Sequence, residues 1–229
     1  MKYIFLLILI LVANLPDQVN ATDETEVKSI YKLYIINNTD FTSSLSEYIT
    51  KLSKDTNSSC QSDINIKRLN PEVITKARFI TDIPPSELVK QHPYFGQWIE
   101  KAIVTDCGQK NQMNVLTIAF DNKTLPNYYP LLNGRTKIEP TYQLRAEKEV
   151  MTAIPAVEQC SSKSMSKVLT TVFLGYRDRN SNKLTKDNNF FGWFEQWNVK
   201  KCDQIYNVNL AILPDSQKKF RFIPQLKSE

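Results

Sequence analysis

Residues 95–109 can be laid on residues 190–204 without a gap. At this constant offset of 95, Phe95 meets Phe190, Trp98 meets Trp193 and Glu100 meets Glu195, and then Val104, Cys107 and Gln109 meet Val199, Cys202 and Gln204. Those six identities in 15 positions use two of the three tryptophans of the chain. A chain that writes the same Trp-x-Glu stretch twice, each copy running on to a cysteine, is expected to build the same piece of sheet twice.

The flanks repeat in the same order. In the first half Phe41, Leu45, Tyr48, Ile49 and Leu52 recur at helical spacing, Ser44 and Glu47 stand as a capping box, and Cys60 follows. In the second, Pro140 occupies a first helical turn, and Tyr142, Ala146, Val150, Ala153, Ile154 and Val157 form an apolar stripe before Cys160. Strands are expected at Ile30–Ile36, Ile64–Leu69, Ile74–Ile80, Trp98–Thr105, Met113–Phe120, Lys167–Tyr176, Trp193–Lys200, Tyr206–Leu213 and Phe220–Ile223. Several carry apolar residues on both parities, as sheets covered by another layer do. Asp82-Ile83-Pro84-Pro85, Leu131-Leu132-Asn133-Gly134 and Leu213-Pro214-Asp215-Ser216 read as turns, and the polar run Arg177–Asn189 as an exposed hairpin loop. The resulting expectation is an α+β fold, a mainly antiparallel sheet with packed helices, in two degenerate repeats of about 27–120 and 121–224.

Met1–Lys2, the apolar run Tyr3–Leu15 and the small residues of Val19-Asn20-Ala21 have the layout of a signal peptide over residues 1–21. Its removal would leave 229 − 21 = 208 residues, 22–229, enough for a single domain. No other stretch has transmembrane length, so no stable spanning segment is expected after signal removal, and the location is secreted or periplasmic. The formal net charge of +5 is spread among many Asn, Ser and Thr without a basic block, which argues against nucleic acid as a partner.

All four cysteines, Cys60, Cys107, Cys160 and Cys202, follow the signal, and an even count in an exported chain reads as two disulfides. Three connectivities exist on counting alone. The repeat favours Cys60 with Cys107 and Cys160 with Cys202, each bridge tying a helix end to a strand of its own half.

Common catalytic solutions are missing. His92 is the only histidine, and no G-x-S-x-G elbow accompanies it. The five glycines assemble no phosphate-binding loop, and Asp178-Arg179-Asn180 and Asp187-Asn188-Asn189 do not extend into a calcium loop. Neither a cofactor nor a metal is expected.

Glu100 and Glu195 are the one weak catalytic alternative. Each shares a strand face with the tryptophan two residues before it, and two such carboxylates in one cleft could act as acid and base on a glycoside. Trp98, Trp193 and Trp197 are the ligand-binding candidates, with Tyr128, Tyr129 and Tyr206 as further aromatics for a groove. The competing reading makes Trp-x-Glu a structural signature. Asn37-Asn38-Thr39, Asn57-Ser58-Ser59 and Asn122-Lys123-Thr124 are sequons for N-glycosylation in a eukaryotic host. The function expected from all this is non-enzymatic binding of a protein or cell-surface partner. The alternatives are glycan binding or cleavage, and carriage of a lipid or small molecule.

Non-reducing peptide mapping of the mature protein should recover Cys60 joined to Cys107 and Cys160 joined to Cys202. Loss of either bridge should cost about 3 to 4 kcal/mol by the loop-closure argument.

Overall fold

Two long hairpins organise the chain. In a computed structural model the described residues are 33–56, 64–80, 87, 90–155, 166–178, 184–185, 190–202, 204–215 and 219–227. Outside them fall residues 1–21, expected to be a signal peptide, with Cys60, Cys160, the start of the strand expected at Ile30 and most of the 177–189 loop.

The first hairpin joins β3 (Phe95–Asp106) to β4 (Gln109–Ala119), and the second joins β8 (Phe190–Lys201) to β9 (Gln204–Pro214). Their turns hold two residues each, closing Asp106 on Gln109 and Lys201 on Gln204. Cys107 and Gly108 take φ of 45° and 77°, and Cys202 takes 58°. Left-handed residues match a two-residue turn to the twist of its strands. Glycine accepts that conformation freely, whereas a cysteine there is strained. Both turn cysteines are disulfide-bonded.

Around the first hairpin β1 (Asn65–Arg68) and β2 (Glu72–Arg78) pair with β3, while β5 (Asn127–Pro130) pairs with β4. Around the second, β6 (Lys167–Asp178) pairs with β8, β7 (Leu184–Thr185) with β6, and β10 (Phe220–Leu226) with β9. All of these pairings are antiparallel, so the described residues form two five-stranded sheets and a β-rich fold.

One helix covers the inner face of each sheet: α1 (Thr39–Thr56) and α2 (Pro140–Ala153). Phe41, Leu45 and Ile49 of α1 lie one turn apart and are buried against Trp98, Ala102, Val104, Met113 and Val115. Ala146 and Val150 of α2, with Ile154 just beyond it, are buried against Trp197, Val199, Val208, Leu210 and Ile212.

Two expectations are corrected. Residues 33–37 are helical rather than a strand, with Tyr34 and Ile35 in the core. Their β-branched and aromatic composition is overridden by burial on a helical face that continues into Phe41. The α1 N-cap is Asn38, whose Oδ1 accepts the Phe41 N–H at 2.8 Å, so Ser44 and Glu47 lie inside the helix. Asn127–Pro130, with tyrosines expected in a groove or equally in the core, is a further strand of the first sheet.

Residues 131–135 join the two sheets. On one side Leu131 N–H donates to Asn114 O and Gly134 N–H to Gln112 O. On the other, Thr171 N–H donates to Asn133 O and Arg135 N–H to Thr171 O. The Asn114 amide donates to Leu132 O and Gly134 O, and Gln112 adds a second bond to Gly134 O. Gly134 is required here. Its φ is 93°, and a Cβ would collide with the carbonyl oxygen of Thr171. Gly134→Ala should therefore destabilise the fold by roughly 3 kcal/mol in urea titration. Gly108→Ala, at positive φ but with open space around the new methyl, should cost only about 1 kcal/mol.

Candidate functional site

Strand parity turns Trp98 and Glu100 of β3, and Trp193, Glu195 and Trp197 of β8, onto the inner faces beneath the helices. Glu100 and Glu195 are 1% and 0% exposed. Each sits in the core of its own half and each is surrounded by donors.

Glu100 Oε1 accepts the Trp98 indole N–H at 2.8 Å, and Oε2 accepts from the Arg68 guanidinium at 3.1 Å. Arg68 projects from β1, opposite Ala102 in register, and its other terminal nitrogen donates to Ile35 O at 3.1 Å. Through Arg68 the carboxylate thus holds the chain just ahead of α1. Burial raises the Glu100 carboxyl above the ordinary value, against the opposing pull of Arg68 and the Trp98 hydrogen bond.

Glu195 makes the same connection without an arginine. Its Oε1 accepts the Trp193 indole at 2.9 Å, the Lys137 N–H at 2.7 Å and the Thr136 hydroxyl at 3.1 Å. Its Oε2 accepts the Trp197 indole at 3.0 Å. Trp197 lies 95 residues after Ala102, and Thr171 faces Trp197 as Arg68 faces Ala102. An arginine lies across from an alanine in the first sheet, and a threonine across from a tryptophan in the second. Both arrangements deliver a donor to the second carboxylate oxygen.

These positions decide what the sequence-derived candidates can do. A glycosidase pair needs two carboxylates in one open cleft, whereas Glu100 and Glu195 are sealed in separate cores. Trp98 and Trp197 are fully buried and Trp193 is 7% exposed, so none offers a ring face to a sugar. Tyr128 packs under α1 against Phe41 and Tyr48, while Tyr129 faces out. His92 is partly buried with its Nδ1 at 2.9 Å from the Tyr34 hydroxyl, and burial lowers its pKa despite the nearby Asp40. Cys107 and Cys202 hold the hairpin turns; their partners lie outside the described residues. No group of three or more His, Cys, Asp or Glu side chains able to hold a metal occurs among the described residues. No described helix is long and apolar enough to cross a membrane.

Exposed apolar side chains occur on both sheets. On the outer face of the first, Phe95, Phe120 and Tyr129 are exposed, as is Leu125 just ahead of β5, with Arg78 stacked 5.5 Å over the Phe95 ring. Phe95 directly precedes and Phe120 directly follows the Gly96–Ala119 pair, so the two phenylalanines share a row at the end of the sheet, and Leu125 stands two residues ahead of the Ile118–Asn127 pair. In the second half Asp215 falls 95 residues after Phe120, and it is tied to Lys219 through the backbone. The row was missed because exposed and buried phenylalanines look alike in sequence. The pairing register was the only signal that could have assembled it. No family model, curated protein or solved structure matches the chain.

Glu195→Gln places an amide NH2 among donors and should cost about 3 kcal/mol in urea unfolding. Glu100→Gln removes a titrating group whose folded pKa is raised. The folded state therefore holds its proton to higher pH than the unfolded state. Wild-type stability relative to Glu100→Gln should fall as pH rises above about 4.5 and level off once the raised value is passed.

Proposed function

We propose that this chain is an exported, non-enzymatic binding protein made of two degenerate copies of one α+β unit, and that it meets a protein partner through the outer face of its first sheet. The supporting observation is the exposure of neighbouring Phe95 and Phe120 at the end of that sheet, together with exposed Leu125 and Tyr129 on the strand beside them. Contiguous apolar surface framed by polar residues is characteristic of interaction sites, and aromatic side chains supply much of the binding energy in such contacts.

The duplication is supported by hairpins that share turn length, left-handed cysteine and buried Trp-x-Glu at one offset. Export is supported by the leader and by the bonded state of Cys107 and Cys202. The non-enzymatic reading follows from what the glutamates do. Their oxygens are committed to holding strands and helix together, and neither faces a cleft.

The test is binding of the labelled mature protein to intact cells and to immobilised extracellular proteins of its source. Wild-type protein should bind saturably. Phe95→Ser/Phe120→Ser should weaken binding at least tenfold while leaving its thermal unfolding midpoint within a few degrees of wild type. Equal binding by the two proteins would reject the surface.

A further inference from the structure

The outer face of the first sheet does not end at the aromatic row. Towards the second half it runs into a cleft of about 650 Å³, lined also by residues 134–141 and Phe173 of β6. The volume lies in the range that accepts a small organic ligand. Ile74, Ile99 and Leu116 line the wall belonging to the first sheet, and Phe173 lines the opposite one.

Charge is distributed unevenly around this apolar floor. Lys101 is already paired with Glu72. That leaves Arg135 and Lys137 as cations against the single acid Glu139. Both cations extend from a fixed backbone: Arg135 N–H is bonded to Thr171 O at 2.8 Å and Lys137 N–H to Glu195 at 2.7 Å. Thr136, between them, turns its hydroxyl into the core to reach the same glutamate. Alternation along the extended segment therefore sends Arg135 and Lys137 outward, and the Lys137 ammonium lies 5.8 Å over the Phe173 ring. Two cations beside an apolar floor on a preorganised backbone suit a ligand with an acidic head and a hydrocarbon body.

We infer that this cleft binds a small amphipathic carboxylate, with its head at Arg135 and Lys137 and its chain along Ile99, Leu116 and Phe173. The site is separate from the aromatic row, and it stands or falls independently of the protein-binding surface.

Anilinonaphthalene sulfonate, an amphipathic fluorescent anion, is the probe for titration of the mature protein. One saturable site is expected. Dodecanoate should displace the probe, whereas dodecyltrimethylammonium at the same submicellar concentration should not. Arg135→Glu/Lys137→Glu should raise the probe Kd at least tenfold with an unchanged circular dichroism spectrum. Should that variant fail to fold, Arg135→Gln/Lys137→Gln should raise the Kd at least threefold. Phe95→Ser/Phe120→Ser should bind the probe as wild type does. Wild-type affinity in a folded charge variant, or equal displacement by the cationic detergent, would overturn the assignment.

Discussion

A buried carboxylate is costly unless its oxygens are occupied, and in each half of this protein the occupying donors come from separate pieces of chain. Glu195 gathers the indoles of Trp193 and Trp197 together with the backbone and hydroxyl of the segment ahead of α2. Glu100 reaches the corresponding place ahead of α1 through Arg68. Helix, hairpin and entry segment are thereby fixed relative to one another. Apolar contact alone leaves such elements freer to slide.

The packing above each glutamate is complementary in volume. Where the sheet is slim, at Ala102 and Val115, the helix supplies Phe41, Leu45 and Ile49. Where the sheet is bulky, at Trp197 and Leu210, the helix supplies Ala146 and Val150. Large side chains thus meet small ones across each layer, as native packing density requires. Arg68 belongs to this exchange, since its guanidinium lies 5.5 Å over the Phe41 ring in the half that lacks the second core tryptophan.

Much of this was legible from the residues. The offset of 95 located the strand that leads to each turn cysteine, and the spacing of Phe41, Leu45 and Ile49 located α1. Parity placed Trp98 with Glu100, and Trp193 with Glu195, on one strand face. The misreadings have specific causes. Tyr34 and Ile35 have strand-like composition, but their place is decided by a tertiary contact. Asn127–Pro130 is too short and too interrupted by proline to announce itself as a strand. Arg68 resembles any other surface cation until β1 is paired with β3. The cleft was invisible because Ile99, Gly134 and Phe173 come together only when one sheet is set against the other.

The junction at Asn133–Arg135 has a colloidal consequence. An unpaired strand edge invites another chain to add to it, and here the ribbon shields two margins at once, receiving β4 on one side and β6 on the other. On the far margin of the second sheet, β10 carries Pro224, whose ring nitrogen has no hydrogen to offer an incoming strand. A chain this rich in strands is therefore guarded against self-templating at its seam and at one rim.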